Sequence, residues 1–376
     1  MPIDASNTDA NQDATENSSL DGTNDGGPKS RTKVVVRSNG TVTYVGKDIA
    51  YQFWKFGILQ RDFHYRPYQT RPTGDVTWTT TTALADSTNS TAPDFGQAAS
   101  VYNVIDTRQS YLQQLLKQAL KAAGYPEQAG QSVHVSYEMV ALSHATAQAL
   151  GHVNVKDSTK PFVEVSGRKG LGVKADDLLD RLKAAALQEV IQRHEDLTVE
   201  SEEANAIATA ISIAAVRYFM IKYSRGKLIA FDIEEALSFD GESGPYVQYS
   251  VVRATNILKK LKTQHECGET EIVTAVLSLS DASLGDPDGT TLWALVLEAS
   301  RLDEIADQAI RTLELSVLAK YSFNLAQMFN TFYHQCPVLK ETNRDVRLWR
   351  AAAVFYCRQQ LVRTLDLMGC EVPPRM

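Results

Sequence analysis

Apolar and polar positions divide the chain of 376 residues into three parts. Residues 1–32 are rich in Asp, Asn, Ser, Thr and Gly and have almost no apolar residues. Such a segment cannot bury enough surface to offset its ordering entropy, so we expect a disordered tail. From residue 33 to about 174 the pattern mixes strands and helices, and from Ala175 onward it is almost entirely helical.

The ordered part is predicted to begin with a β-hairpin and a helix. Two apolar runs, 34–36 and 41–45, flank the pair Asn39-Gly40. This pair favours a tight turn between strands because both residues tolerate positive φ. Residues 48–59 then carry apolar side chains on one side of a predicted helix.

Strands and helices alternate through the middle of the sequence. Residues 70–100 are rich in Thr, Ser, Pro and Gly, which favours a long loop with at most one strand. A short apolar strand is predicted at 100–106, a helix at 109–123 and another strand at 133–139. This order of elements is typical of an α/β sheet.

The remaining elements are predicted helices, with apolar residues at spacings of three and four. They cover residues 176–192, 203–223, 246–263, 270–279, 291–297, 302–333 and 345–368. Gly369 ends the last helix, and Pro373-Pro374 prevents it from resuming. The predicted fold class is therefore an α/β part followed by an all-α bundle.

Composition places the protein among globular chains. It is 43% hydrophobic and 22% charged, so it can bury a sizeable core. The formal net charge of -7 removes the simplest signature of a nucleic-acid-binding protein, a strongly basic chain. There is no run of about 18 apolar residues and no basic, apolar N-terminal signal, so we expect a cytoplasmic protein with no membrane partner.

Cysteine and histidine spacing gives no sign of a metal site. The 4 cysteines lie far apart without a CxxC pair, and the 7 histidines form no HExxH motif. Zinc ribbons and disulfide frameworks need closer, paired ligands. We therefore expect no protein-bound metal and reduced cysteines packed among helices.

Asp48 is the first candidate for chemistry. It closes the run from Tyr44 to Asp48, where a predicted strand ends and a helix begins. Ligands of α/β folds collect at the carboxyl ends of strands, so Asp48 could pair with a cation such as a guanidinium. The alternative is that Asp48 is only the N-cap of the helix, and the residues alone favour that alternative.

A glycine-punctuated loop with three cations is the second candidate. It covers residues 164–174 and includes Arg168, Lys169 and Lys174. Glycine lets the backbone approach an anion, and the cations can neutralise phosphate charge, which suits a nucleoside triphosphate with a leaving pyrophosphate. The Walker pattern GxxxxGK[ST] is absent, and the alternative is a solvated basic turn.

The helical part holds the third group of candidates. The run 239–249 contains glycine and proline at a predicted hinge and helix start, and a domain junction explains most of it. On the last helix, five arginines including Arg350 could follow a phosphate backbone, and aromatic residues of the bundle such as Trp349 could stack on unpaired bases. At helical spacing, aromatic residues are more often part of the core.

Taken in order, these motifs resemble the arginyl-tRNA synthetase family. The first motif runs from Arg37 to Tyr44 and continues from Lys47 to Ala50, and it resembles the family pattern RSDGT-x-TY-xx-(R/K)DI(A/G). The second, Val165 to Gly170, resembles the family's degenerate KMSKS loop. The others are Gly244 to Tyr249 with Arg253, and the ending Val372 to Met376. The resemblance covers residues 33–376 and implies three regions. These are a tail at 1–32, the C-terminal part of an incomplete Rossmann-like class I catalytic domain at 33–242, and a helical anticodon-binding domain of the DALR type at 243–376.

The resemblance implies an arginine–tRNA ligase. In this family ATP, carried with Mg, activates L-arginine as an adenylate with loss of pyrophosphate, and a ribose hydroxyl of the tRNA for arginine then takes the aminoacyl group. The site residues carried over by motif are Tyr44, Asp48 and Gln109 for arginine, with Asp48 facing the guanidinium, and Ser166, Arg168 and Lys169 for the ATP phosphates. The candidates for contact with tRNA are Tyr246, Gln248, Arg253, Trp349 and Arg350.

One motif of the family is missing from the sequence. Family members carry an HxGH signature for ATP upstream of the hairpin, and no such tetrapeptide occurs here. One interpretation is an arginine–tRNA ligase that works with a separately encoded N-terminal half. The alternative is a truncated or catalytically inactive relative that acts as a tRNA-binding module. The presence of Asp48 and Lys169 favours the enzyme, because a pure binding module has no need of them.

Overall fold

The structure is a computed structural model that describes residues 33–82, 91–151, 160–164, 173–279 and 288–376. The predicted tail at 1–32 lies outside these residues. The chain forms two compact units, which divide between Tyr137 and Glu138. The boundary predicted at 242/243 falls inside the second unit, where a long helix begins at Gly244.

The first unit combines three helices with two pairs of strands. Its elements are α1 (Tyr44–Lys55), β1 (His64–Thr70), β2 (Val76–Thr81), β3 (Val101–Asp106), α2 (Ser110–Ala122), α3 (Pro126–Gln131) and β4 (Ser132–Tyr137). Strands β3 and β4 run parallel, and α2 and α3 connect them. Phe56, Val101, Leu120 and Ala129 form the small apolar cluster of this unit. The predicted order strand, helix, strand is confirmed.

The hairpin predicted at 34–45 is shorter than predicted. The turn is present, with Gly40 at φ +82°, but the strands are reduced to a single antiparallel bridge between Val36 and Val42 with backbone hydrogen bonds on either side of it. The helix begins earlier than predicted, because the Thr43 hydroxyl accepts a hydrogen bond from the Gly46 amide and so caps α1. Asp48 therefore lies inside α1, and its interpretation as the N-cap is wrong.

The segment 70–100, predicted as a long loop with at most one strand, contains one strand among its described residues, and this strand belongs to a hairpin that was not predicted. The threonine-rich run forms β2, which pairs antiparallel with β1 from His64 opposite Thr81 to Thr70 opposite Val76. Threonine is β-branched and favours strands once a neighbouring strand is available for pairing. The composition, which is typical of loops, concealed this hairpin.

The second unit begins with a further parallel pair and its covering helices. Its first elements are β5 (Val140–Leu142), α4 (His144–Ala149), α5 (Ala175–Arg193), α6 (Glu202–Ile221), β6 (Ile229–Phe231) and α7 (Ile233–Leu237). Strands β5 and β6 pair in parallel. By length and composition α6 could cross a membrane, but 56% of its apolar window is buried inside the fold. Core packing therefore accounts for the apolar character of α6.

The all-α bundle predicted for the C-terminal part is confirmed. Its helices are α8 (Gly244–His265), α9 (Glu269–Val276), α10 (Asp288–Ser300), α11 (Leu302–Thr312), α12 (Ser316–Gln335) and α13 (Arg344–Leu367). The single helix predicted at 302–333 is wrong, because Leu313 adopts a left-handed conformation at φ +56° and separates α11 from α12. Large side chains such as Phe329 and Phe332 are fully buried in a continuous core.

Candidate functional site

One side of α1 carries polar and charged side chains. Asp48, Gln52 and Lys55 are spaced four and three residues apart, and Tyr44 precedes Asp48 by one turn. Residues at these spacings lie on the same face of an α-helix. We call the residues Tyr44, Asp48, Gln52 and Lys55 the polar face of α1.

Hydrogen bonds hold the polar face of α1 against the parallel pair β3–β4. The Gln52 Nε2 donates to the Ser132 Oγ at 3.0 Å, and both side chains are buried. The Lys55 Nζ donates to the Asn103 Oδ1 at 2.9 Å. Buried polar groups must find partners of this kind, because an unpaired group costs about 1–3 kcal/mol. The pairs therefore fix the position of α1 on the strands.

The start of α1 also packs closely on the preceding segment. A Cβ at Gly46 would lie 2.6 Å from the Val35 carbonyl oxygen, which is closer than real Cβ atoms come. The Val35 oxygen also accepts a hydrogen bond from the Thr43 amide at 3.0 Å. Gly46 is therefore required where it stands, between Tyr44 and Asp48.

The Asp48 carboxylate is partly buried and accepts no hydrogen bond from any residue that the structure describes. Burial raises its pKa, and the attraction of Lys55, two turns away, lowers the pKa by less. The pKa of Lys55 is in turn lowered by burial, which outweighs the attraction of Asp48. A carboxylate that is partly removed from water and has no close partner is stabilised by a cation that approaches it.

Tyr44 stands at the exposed end of the polar face. It is the first residue of α1, and its side chain is 86% exposed. The Lys47 Nζ lies 5.9 Å from the centroid of its ring. Tyr44 thus offers a ring face and a hydroxyl one turn before Asp48, on the side of α1 that a ligand of Asp48 would occupy.

Gln109 lies at the carboxyl end of β3. It closes the short turn Thr107–Gln109 and is exposed. The start of α2, which follows it, lies near the segment that supports α1, because the Lys33 Nζ is 5.8 Å from the Tyr111 ring centroid. The structure therefore places Gln109 and the start of α1 at the same end of the first unit. Ligands of α/β folds bind at this end of the strands.

Sequence reasoning missed two residues beside Asp48. Lys55 follows Asp48 by seven residues, two helical turns, so its spacing could have identified it. Asn103 is a polar residue of β3 at a buried position, on the same side of the strand as Val101. Its Nδ2 is buried and lacks a hydrogen-bond partner among the described residues.

The predicted phosphate-binding residues Ser166, Arg168 and Lys169 lie outside the described residues. The segments on either side of them are described. Before the loop, Val163 bridges to Leu142 in β5, and after it α5 begins at Ala175.

Tyr246 and Arg253 belong to a hydrogen-bond network between α8 and α12. The Arg253 Nη1 donates to the Asn330 Oδ1 at 2.6 Å, and the Asn330 Nδ2 donates to the Tyr246 hydroxyl at 3.0 Å. The Arg253 guanidinium also lies 4.7 Å from the Tyr249 ring centroid. Both predicted tRNA contacts are thus oriented by the bundle and remain partly exposed.

Two other predicted tRNA contacts are corrected by their burial. Gln248 is 0% exposed, and its Nε2 donates to the carbonyl oxygens of Ala210 at 3.2 Å and Glu371 at 2.5 Å. Arg350 is 6% exposed and pairs with the Glu341 carboxylate at 2.9 Å. These side chains stabilise the bundle, and their burial argues against the predicted contact with tRNA.

Trp349 packs at the edge of the same core. Its ring centroid lies 5.9 Å from that of Trp293, with the ring planes inclined by 59°. The Trp293 side chain is 41% exposed, so the aromatic surface at this position includes Trp293 as well as Trp349. Within the described ranges, no group of three or more His, Cys, Asp or Glu side chains is arranged to hold a metal ion.

Two sequence families match the chain. The catalytic domain described as tRNA synthetases class I (R) matches residues 72–233, and the DALR anticodon binding domain matches residues 247–376. The two matches follow one another in the order predicted from the motifs. The second covers the bundle from the first turn of α8 to the end of the chain.

Among curated proteins, the chain is similar to enzymes named arginine–tRNA ligase. It is 35% identical over 352 residues to that of Deinococcus radiodurans, which covers 91% of this chain and 52% of the relative. It is 36% identical over 345 residues to that of Thermococcus sibiricus, with 91% and 49% covered. The chain therefore spans about half the length of the curated relatives it matches.

Solved structures give the same result. The arginyl-tRNA synthetase of Thermus thermophilus superposes with a TM-score of 0.71 at 31% identity, covering 93% of this chain and 52% of that one. The arginyl-tRNA synthetase of Plasmodium falciparum superposes with a TM-score of 0.59 at 16% identity, which supports the fold alone. The predicted combination of a Rossmann-like class I part with a helical C-terminal domain is confirmed.

Proposed function

Because this chain belongs to the arginyl-tRNA synthetase family, we propose that it takes part in the ATP-dependent attachment of L-arginine to its tRNA. ATP first activates the arginine carboxylate as an adenylate, and pyrophosphate leaves. A ribose hydroxyl of the tRNA for arginine then takes the aminoacyl group. The activity, the substrates and the tRNA partner are all part of this proposal, because the chain spans about half the length of its curated relatives.

The observation that carries the proposal is the state of the Asp48 carboxylate. It is partly buried and accepts no hydrogen bond among the described residues, and its pKa is raised by burial. A guanidinium offers a planar pair of N–H donors that match a carboxylate. Arginine bound there would supply the partner that Asp48 lacks, and Tyr44 and Gln109 would contact the same substrate from the start of α1 and the end of β3.

The phosphate chemistry is assigned to the loop that precedes α5. We propose that Ser166, Arg168 and Lys169 hold the ATP phosphates and stabilise the charge that develops as pyrophosphate leaves. Catalysis of this kind needs positioning and electrostatic stabilisation, without a side-chain nucleophile. Mg would enter with ATP, because Mg²⁺ is usually bound through substrate phosphates and keeps several waters. No protein-bound metal is required.

The HxGH-type ATP signature of the family is absent from this sequence. We propose that a separately encoded N-terminal half supplies it, and that residues 33–242 and 243–376 form the catalytic part and the tRNA-binding part of the assembled enzyme. A cytoplasmic location without a membrane partner fits a reaction on tRNA and ATP. A tRNA-binding module without catalysis is not favoured, because the catalytic-domain match and the unpartnered Asp48 support an enzyme.

The test is charging of tRNA with labelled arginine, ATP and Mg. The chain is assayed alone and together with a polypeptide that contains the HxGH half, for which the first half of the Deinococcus radiodurans relative is a source. We expect charging when both parts are present. The Asp48→Ala variant of this chain is expected to lose it, because the guanidinium then has no counter-charge.

A matched control separates the role of Asp48 from general charge effects. Glu127 is an exposed carboxylate in the first turn of α3, and the Glu127→Gln variant is expected to charge tRNA like the unchanged chain. An arginine KM that is the same in Asp48→Ala and in the unchanged chain would remove Asp48 from the pocket. Absence of charging with every supplied half would contradict the ligase proposal.

A further inference from the structure

A cavity of the helical bundle is a candidate for a further binding site. It has a volume of about 550 Å³ and opens between α8, α13 and the C-terminal segment. We call it the α8–α13 cavity, and the side chains that matter here are Thr255, Lys259, Arg358, Gln360, Arg363 and Pro373. Its volume is in the range of about 300–1,000 Å³ that small-molecule sites occupy.

The lining of the α8–α13 cavity is cationic. Lys259, Arg358 and Arg363 contribute positive charge, and no carboxylate is among the described residues that line the cavity. The Lys259 ammonium makes no ion pair or hydrogen bond with any residue that the structure describes. A site with three cations and no anion in its wall attracts negative charge.

The two arginines are held by carboxylates outside the wall. The Arg358 Nη1 lies 2.9 Å from a Glu269 oxygen, and the Arg363 Nη2 lies 3.0 Å from an Asp303 oxygen. The Asp303 side chain is 84% exposed. The Arg363–Asp303 pair is exposed and therefore weak, so an incoming anion can share or replace the contact with Arg363 at little cost. The Arg358 side chain is only 17% exposed, and its pair with Glu269 stays in place.

Gln360 supplies a neutral donor from a nearly buried position. It is 6% exposed, and its Oε1 already accepts a hydrogen bond from the Arg363 Nη1 at 3.0 Å. Its Nε2 has no hydrogen-bond partner within the described ranges, while the residue lines the cavity. An amide fixed through its oxygen in this way offers only N–H groups to a ligand.

Part of the cavity wall is apolar. Val251, Val252, Val372, Pro373 and Pro374 contribute it, and it suits the flat or carbon-rich part of a ligand. An anion combined with a flat organic group is the chemistry of a nucleotide.

From this combination we propose that the α8–α13 cavity binds the phosphate of a nucleotide. Lys259, Arg363 and the Gln360 amide contact the phosphate, and the apolar wall contacts the base or the ribose. The nucleotide is either free or part of an RNA strand. The second form rests on the tRNA binding of the proposed function, and the first does not.

The experiment is calorimetric titration of the full chain with AMP, with adenosine and with a short single-stranded RNA. We expect AMP to bind at least about tenfold more tightly than adenosine, because hydrogen bonds to a charged phosphate are stronger than those between neutral groups. AMP binding without RNA binding identifies a free nucleotide as the ligand. RNA binding without AMP binding identifies a strand, provided that the variants below weaken it.

Three variants locate the binding in the cavity. Gln360→Glu keeps the acceptor for Arg363 and replaces the donor with a negative oxygen, and we expect it to weaken binding at least about tenfold. The exposed double variant Lys259→Gln/Arg363→Gln is expected to do the same. Lys260→Gln removes a neighbouring exposed charge that does not line the cavity, and it should change the affinity by less than about twofold.

Several results would overturn the proposal. The first is equal affinity for AMP and adenosine. The second is an equal loss of affinity in Lys260→Gln and in Gln360→Glu. The third is no binding of either AMP or RNA. Circular dichroism of each variant checks that the bundle is intact. The titrations involve neither arginine nor charging, so failure of the ligase proposal would leave the AMP result unaffected.

Discussion

In the first unit the polar face of α1 rests on two strands through hydrogen bonds, whereas the helices of the bundle pack through a continuous apolar core. The apolar cluster of the first unit consists of Phe56, Val101, Leu120 and Ala129. The bundle core includes whole faces of α8, α12 and α13 and fully buried rings such as Phe329.

Polar residues that are paired inside the chain stabilise the fold, whereas incompletely paired polar residues are available to bind a ligand. In the bundle, the polar groups of Gln248 and Arg350 are of a kind that binds ligands, but they already bind partners inside the chain. On α1, Asp48 is partly buried and accepts no hydrogen bond from any residue that the structure describes. A polar residue that the fold leaves incompletely paired is the better candidate for ligand contact.

The largest effect on stability is expected in the bundle core. Phe329 is fully buried among α8, α12 and α13, and Phe329→Ala should lower the free energy of unfolding by about 3–5 kcal/mol because it removes the ring and leaves a cavity. Urea denaturation followed by circular dichroism measures this change. A loss below about 1 kcal/mol would contradict close packing of the core around Phe329.

A smaller effect is expected at Gln248. Gln248→Leu leaves the Glu371 carbonyl oxygen without its buried donor, and the free energy of unfolding should fall by about 1–3 kcal/mol. Binding of labelled tRNA to the folded variant, measured by filter retention, should be unchanged. Weaker tRNA binding at full stability would restore Gln248 as a contact residue and break the comparison.

The polar face of α1 should respond in the opposite way. Asp48→Asn removes a charge that burial disfavours, so the free energy of unfolding should change by no more than about 0.5 kcal/mol. Arginine affinity should nevertheless be lost. Thermal unfolding and calorimetry on the same sample measure both quantities, and a large loss of stability would show that Asp48 is structural.

The smallest predicted effect concerns pH. In the proposed function arginine binds ionised Asp48, so its affinity should be constant above the pKa of that group and fall below it. Burial raises the pKa of Asp48, and the decline should therefore start at a higher pH than for an ordinary aspartate, whose pKa is about 3.9. Calorimetry between about pH 7 and 4.5 tests this. A decline that starts no higher would place Asp48 in a fully solvated position.

The sequence predicted the helices well because their apolar spacing is set by burial on one face. It failed where a single interaction decides a boundary. Thr43 caps α1 and ends the second strand of the predicted hairpin. Leu313 breaks a helix without the glycine or proline that usually marks such a break.

For the candidate site, the sequence indicated which residues share a helix face but not which of them are buried. Motif spacing identified Tyr44 and Asp48, which α1 brings to one face. It could not separate buried from exposed members of α8 and α13, because burial depends on helices distant in sequence, as the contact of Gln248 with Glu371 shows. Lys55 could have been identified by its spacing of two helical turns from Asp48, but its hydrogen bond to Asn103 could not, because that bond joins α1 to β3.

The central claim is that Asp48 recognises a guanidinium, and a comparison of arginine with citrulline tests it most directly. Citrulline has nearly the same shape but carries a neutral urea group in place of the guanidinium. Calorimetric titrations would use the chain together with the HxGH half, with Asp48 unchanged and with Asp48→Asn. The account predicts a strong preference for arginine that disappears in Asp48→Asn. An undiminished preference in that variant would contradict it.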